Sequence, residues 1–158
     1  MFTFFFREAS PFSQWYACRF VVDGVTFRCA EQYMMYGKAL LFGDKEIGAE
    51  ILVAEHPKTQ KALGRKVKDF DQGVWERERM RIVKAGNRAK FTQNEELLAT
   101  LLATKGTTLV EASPFDRIWG IGLAATDPRA QDPKQWKGRN LLGYVLTELR
   151  DELLAERR

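Results

Sequence analysis

Residues 18–44, CRFVVDGVTFRCAEQYMMYGKALLFGD, carry the two signals from which the fold is read. Asp23-Gly24 suits a two-residue type I′ turn, which needs φ > 0 at both central positions, and it lies between runs rich in Phe, Val and Thr. A two-residue loop fixes the pairing by arithmetic. Val22 faces Val25, Phe20 faces Phe27 and Cys18 faces Cys29, all on one side, with Arg19, Val21, Thr26 and Arg28 on the other. Directly afterwards AEQYMMYGKALLFGD changes to helix formers; Gly43 can stop that helix and Asp44 can cap the next.

Outward from this stretch, the chain reads as helix at about 44–54, 57–67, 71–91 and 94–103, strand at 107–112 and helix at 140–156. MFTFFFREASPF lacks the basic start and small-residue cleavage site of a leader and is read as a first strand. In the 71–91 helix Trp75, Ile82, Ala85 and Ala89 recur at helical spacing as the expected buried face, and Arg77, Arg81, Lys84 and Arg88 form a separate basic stripe. Residues 113–139 show neither period, and a patternless segment of that length inside a domain is usually functional.

Composition narrows the function classes. At 158 residues, 45% of them hydrophobic, the chain has the size and core of one domain, residues 1–158. No run approaches the roughly 18 apolar residues of a membrane helix, so no membrane role is expected and the cytoplasm is the inferred location. Two cysteines without CxxC spacing and one histidine, His56, argue against zinc and against a Cys/His nucleophile. There is no GxGxxG fingerprint and no P-loop lysine. Residues 58–90 hold 11 basic and 4 acidic side chains, which is compatible with an anionic partner, although taken alone it is more simply a solvated helix face.

Two groups of residues have chemical potential. Glu31 and Lys38 are seven positions apart on one helix, so their Cα atoms lie roughly 10 Å apart on one face. On so apolar a helix they would be partly buried, where acid/base or amine-nucleophile roles open up. The same placement, acid first and base last, also simply favours the helix dipole. The second group is aromatic: Phe12, Trp15 and Tyr16 before the hairpin, Phe115 and Trp119 in the long segment, where Gly120 and Gly122 would let backbone approach a ligand.

The blocks FSQW, VDGVTF, AEQYMMYGKALLFGD, ALGRKV, AKFTQN, LVEASPFDRIWGIGL and NLLGYVLTELR stand in the order of the NADAR (YbiA-like) family, which the chain resembles over residues 4–154. That resemblance implies an α+β, mostly helical NADAR/YbiA-like domain with an N-terminal β-hairpin and a small sheet. It also implies metal-free, cofactor-free N-glycoside hydrolysis. Its members act on phosphoribosylamino-pyrimidine intermediates of riboflavin synthesis or remove ADP-ribose from the guanine amino group in nucleic acid, some as antitoxins to DarT-type ADP-ribosyltransferases. Expected substrates are therefore ADP-ribose or ribose-phosphate groups, among them ADP-ribosylated DNA. A non-catalytic binder of ADP-ribose or nucleic acid fits the charge and aromatics as well.

By the same resemblance the family's glutamate and lysine match Glu31 and Lys38, as catalytic residues, and Trp119, Gly120 and Asn140 match further motif positions. The implied substrate-binding set is Phe12, Ser13, Gln14, Trp15, Tyr33, Lys90, Asp116, Arg117, Trp119, Gly120 and Asn140, with Trp15 and Trp119 stacking and Lys90 and Arg117 meeting phosphates. Gln14 replaces a common asparagine. Gly37 stands where the YbiA branch often has Gln, which is expected to open space beside Lys38.

Overall fold

The hairpin forms as the arithmetic requires. In the computed structural model, which describes residues 1–157, strands β2 (Phe20–Val22) and β3 (Val25–Phe27) pair antiparallel with Phe20 opposite Phe27 and Val22 opposite Val25. Asp23 (φ 50°) and Gly24 (φ 78°) both have left-handed backbone, the requirement of the type I′ turn. Phe20 and Phe27 are buried and stacked, ring centres 5.5 Å apart. The ladder ends before the cysteines, however. The Cys18 N–H donates to the Arg28 carbonyl (2.9 Å) and Cys29 becomes the residue preceding the first helix, so the expected Cys18–Cys29 pairing does not form.

The chain divides into two units, Gln14–Asn94 and Met1–Ser13 with Glu95–Arg158. The first holds the hairpin and helices α1 (Ala30–Leu41), α2 (Lys45–Val53), α3 (Pro57–Gly64) and α4 (Gln72–Thr92). Helix α1 is its centre and packs on α2, α3 and α4. Gly43 (φ 72°) stops α1, and the Asp44 carboxylate caps α2 by accepting the Ile47 N–H. The other oxygen of Asp44 accepts the Lys68 N–H (2.9 Å), which ties the segment before α4 to the end of α1, and these two bonds hold the Asp44 carboxyl below its ordinary pKa.

The second unit pairs β1 (Phe2–Phe5) in parallel with β4 (Thr108–Glu111), Phe2 opposite Thr108, and backs β4 with α6 (Leu141–Glu156). The small sheet is therefore two separate two-stranded pieces. Helix α5 (Glu95–Leu102) packs on α6, and the buried Arg150 of α6 donates to the Thr104 carbonyl just past α5 (2.9 Å). Residues 113–139 contain only two short 3-10 turns, Pro128–Gln131 and Pro133–Gln135, each capped by an aspartate. No helix among the described residues is long and apolar enough to cross a membrane.

The buried face of α4 departs from the apolar pattern. Trp75 and Ile82 face inward as expected, but Ala85 is exposed, and Arg79, Asn87 and Lys90 are buried instead. A small apolar side chain gains little from burial. The neighbours of α4 therefore decide which face turns in: the Tyr33 ring of α1 packs on Gly86 where a Cβ would stand.

Candidate active site

Glu31 and Lys38 are both on α1, and the site is built around them. The N-terminus of α1 has no side-chain cap; it is set instead by the Glu31 N–H donating to the Gln14 carbonyl (2.8 Å) and the Arg28 N–H to Gln32 Oε1 (2.7 Å). Gln32 also donates to the Ile51 carbonyl at the end of α2, and Gln60 does the same for Ala54, so two buried amides fix the position of that turn. Glu31 is 4% exposed, in the first turn, where the helix dipole favours a carboxylate.

Lys38 is half-buried, its Nζ 4.7 Å from the ring centre of Phe70 and 5.7 Å from that of Trp75. Burial lowers its pKa, Glu31 opposes that by its negative charge, and Arg65 adds to the lowering. The arrangement joins an ammonium that sheds its proton more readily than a surface lysine to a buried carboxylate that senses its charge.

The side of Gly37 is not open as expected. A Cβ there would stand 2.8 Å from Ile82 Cγ2, so this glycine lets α1 and α4 approach and creates no room beside Lys38. Tyr33, expected to bind substrate, packs edge-on against Phe27 (5.1 Å) and over Gly86. Gln14 is buried with its Oε1 accepting from Asn87 Nδ2 (2.8 Å), a partner on α4 that carries no sequence signal. Trp15 is half-buried, edge-on to exposed His56 (6.3 Å), and His56 caps α3 through Nδ1.

Lys90 is fully buried, its Nζ 4.9 Å from the Phe91 ring centre and 5.5 Å from that of Tyr16, which makes it an interior amine and not a surface phosphate clamp. Burial draws its pKa down to about 8, partly offset by Cys18 and Cys29. Burial also pushes the Cys29 thiol up to about 11 and raises Cys18, so both thiols are poor nucleophiles. Among the described residues no group of three or more His, Cys, Asp or Glu could hold a metal ion.

The remaining expected residues belong to the second unit. Phe12 is a core ring, edge-on to Phe5 (5.5 Å), beside buried Ser13. Asp116 Oδ1 accepts the N–H groups of Ile118 and Trp119 (both 2.8 Å), which leaves Trp119 half-buried and Arg117 exposed at the turn. At Gly120 the close approach is to the protein's own backbone, since a Cβ would lie 2.9 Å from the Glu111 carbonyl oxygen and 3.0 Å from that of Asp116. Asn140 is fully buried with left-handed backbone (φ 51°), its Oδ1 accepts the Glu111 N–H (3.0 Å) and its Nδ2 donates to the Leu109 carbonyl (3.1 Å), so both ends of the amide are bonded to β4.

The NADAR domain family profile matches residues 4–154. The N-glycosidase R617 of Acanthamoeba polyphaga mimivirus is 44% identical over 146 residues, covering 89% of this chain and 86% of that protein. The solution structure of Escherichia coli YbiA superposes with a TM-score of 0.80 at 31% identity, over 99% of this chain and 86% of that one. The riboflavin biosynthesis protein PYRR of Zea mays is 33% identical over 115 residues, 70% of this chain and 17% of that protein. The chain belongs to the NADAR family of N-glycosidases, hydrolases of N-glycosyl bonds.

Proposed function

We propose that the chain removes ADP-ribose from the exocyclic amine of guanine in nucleic acid, with Lys38 as nucleophile and Glu31 as proton carrier. The observation that carries this reading is Lys38, half-buried against Phe70 and Trp75 with a lowered pKa on the same helix as buried Glu31. Opening of the ribose gives an imine between C1 and the guanine nitrogen. Neutral Lys38 adds to C1, Glu31 supplies the proton with which the guanine amine leaves, and water hydrolyses the resulting lysine imine to release ribose C1 as the aldehyde and restore the amine. One water is consumed and no metal is needed. The substrate half of the reading draws on the excess of basic residues in 58–90. A guanine-modifying ADP-ribosyltransferase of the DarT type would supply such a substrate and would be the partner of an antitoxin.

A second reading, cleavage of a phosphoribosylamino-pyrimidine, is favoured by the similarity to PYRR, which is named for riboflavin biosynthesis. The two are separated by single-turnover cleavage of a guanine-ADP-ribosylated oligonucleotide against the pyrimidine intermediates; faster release from the pyrimidine overturns the first reading. Borohydride added during turnover should trap a covalent adduct in wild type and none in Lys38→Ala. An adduct that persists in Lys38→Ala removes Lys38 as the nucleophile.

A further inference from the structure

The basic stripe of α4 carries a modest surface charge. Lys84 and Arg88 are half-buried, and Arg81 is engaged by Glu78 at 2.9 Å. A denser combination of cations and aromatics lies in the other unit, within residues 113–139. There the chain folds back on itself. The Lys137 N–H donates to the Ile121 carbonyl and the Arg139 N–H to the Arg117 carbonyl, both at 2.9 Å. The position of an absent Cβ on Gly122 (φ 71°) is 3.1 Å from Lys137 Cβ and 3.2 Å from Arg117 Cγ, so these two side chains start from one point, with Arg139 alongside. All three are exposed.

The acidic groups of this segment are already engaged. Asp116 accepts two backbone N–H groups, Asp127 binds the Arg129 guanidinium at 2.7 Å and Asp132 caps a 3-10 turn. Two residues before Arg117, Phe115 is 85% exposed, an unusual position for a ring of its size, and lies 6.3 Å from the Phe6 ring, over which the Arg7 guanidinium sits at 5.5 Å.

We infer that this edge, with Phe115 as platform and Arg117, Lys137 and Arg139 as phosphate contacts, docks an unpaired strand of nucleic acid. The inference rests on the proposal that the scissile group is carried on nucleic acid. Charge complementarity selects a polyanion, and the exposed ring selects a polyanion with free base faces, which a duplex does not offer. Base stacking on an aromatic is sequence-tolerant, so the surface would hold the strand without reading its sequence.

The test is binding of an unmodified single strand of about 12 nucleotides, a length within the range of single-strand sites, to the whole chain by fluorescence anisotropy. Phe115→Ser is expected to weaken binding roughly 5- to 150-fold, the range for loss of one stacked base. Lys137→Ser with Arg139→Ser is expected to reduce the slope of log affinity against log salt by about 1.4, from two phosphate contacts. The same double variant should cleave an ADP-ribosylated guanine mononucleotide at the wild-type rate and the modified strand more slowly.

Wild-type affinity in both variants overturns the inference, as does equal loss with strand and mononucleotide, or an equal effect of Phe115→Ser on duplex. Absence of cleavage of any ADP-ribosylated guanine by wild type defeats the substrate reading, while the strand-binding results still decide whether this surface docks nucleic acid.

Discussion

Helix α1 and the 113–139 segment handle polar groups in opposite ways. On α1 the charged side chains are turned inward: Glu31 is buried and Lys38 half-buried, and the helix begins without a side-chain cap from its N-cap residue. In the long segment polar side chains are consumed by backbone. Asp116 takes two N–H groups, Ser113 Oγ takes those of Phe115 and Asp116, and just beyond it Asn140 is spent on β4. The reason is geometric. A helix satisfies its own N–H and C=O groups and frees its side chains for chemistry, whereas an irregular segment must borrow side chains to satisfy its backbone. Chemistry is therefore expected on α1, and in the segment it falls to exposed residues that do not hold the loop together.

Opposite responses to substitution would sharpen this contrast. Lys38→Ala should lower single-turnover cleavage at least 10³-fold, more than 4 kcal/mol in barrier. Its thermal midpoint should move little, since the amine is only half-buried. Because the attacking amine must be neutral and its pKa is lowered, wild-type rate should rise with pH and level off below the ~10.4 of an ordinary lysine. A pH-independent rate would break the contrast from the α1 side.

Asn140→Ala tests the other side. It leaves the Leu109 carbonyl and Glu111 N–H without their amide partner and keeps an L-residue at φ 51°, so a stability loss of about 3 kcal/mol is expected by denaturant titration. Asn140→Asp retains the acceptor for Glu111 and should recover part of it. A loss under about 0.5 kcal/mol would mean the amide is not needed by β4.

Lys90 tests burial without chemistry. Its folded pKa of about 8 lies below the ~10.4 of the unfolded chain, so between those values the unfolded state binds more protons and stability rises with pH, by up to about 3 kcal/mol. Below about pH 8 the lysine is charged in both states and the destabilisation is fully present. Because the raised Cys29 thiol, at about 11, makes stability fall with pH over the upper part of this range in both proteins, chemical denaturation at pH 7.5 and 10 should show wild type gaining stability relative to Lys90→Met as pH rises.

The smallest expected effect concerns helix approach. Gly37→Ala should cost about 1–2 kcal/mol from contact with Ile82, less its gain in helix propensity, and a double-mutant cycle with Ile82→Ala should cancel the loss. A full loss in the Ile82→Ala background would show that the contact is not with Ile82.

These contrasts explain how far the residues alone could be read. The Asp23-Gly24 turn, the stop at Gly43 and the cap at Asp44 were legible because each depends on the φ preference or hydrogen bond of residues close in sequence. Even the shared α1 face of Glu31 and Lys38 follows from the helical repeat. The pairing of Phe2 with Thr108 was not legible, since no local rule joins residues so far apart. Nor was the polar interior of α4: periodicity picks apolar residues as the buried set and so selects Ala85 and passes over Arg79, Asn87 and Lys90.

The hairpin turn, the succession of helices and the presence of an acid and an amine on one helix are consequences of local backbone preference and spacing, and so could be read from the residues in order. Distant contacts set which face of α4 turns inward, bind the Asn140 amide and Gly120 to the protein's own backbone, and bring Lys137 and Arg139 back to Arg117. Those outcomes depend on which distant surfaces come into contact, and burial reassigns what a side chain of given type can do.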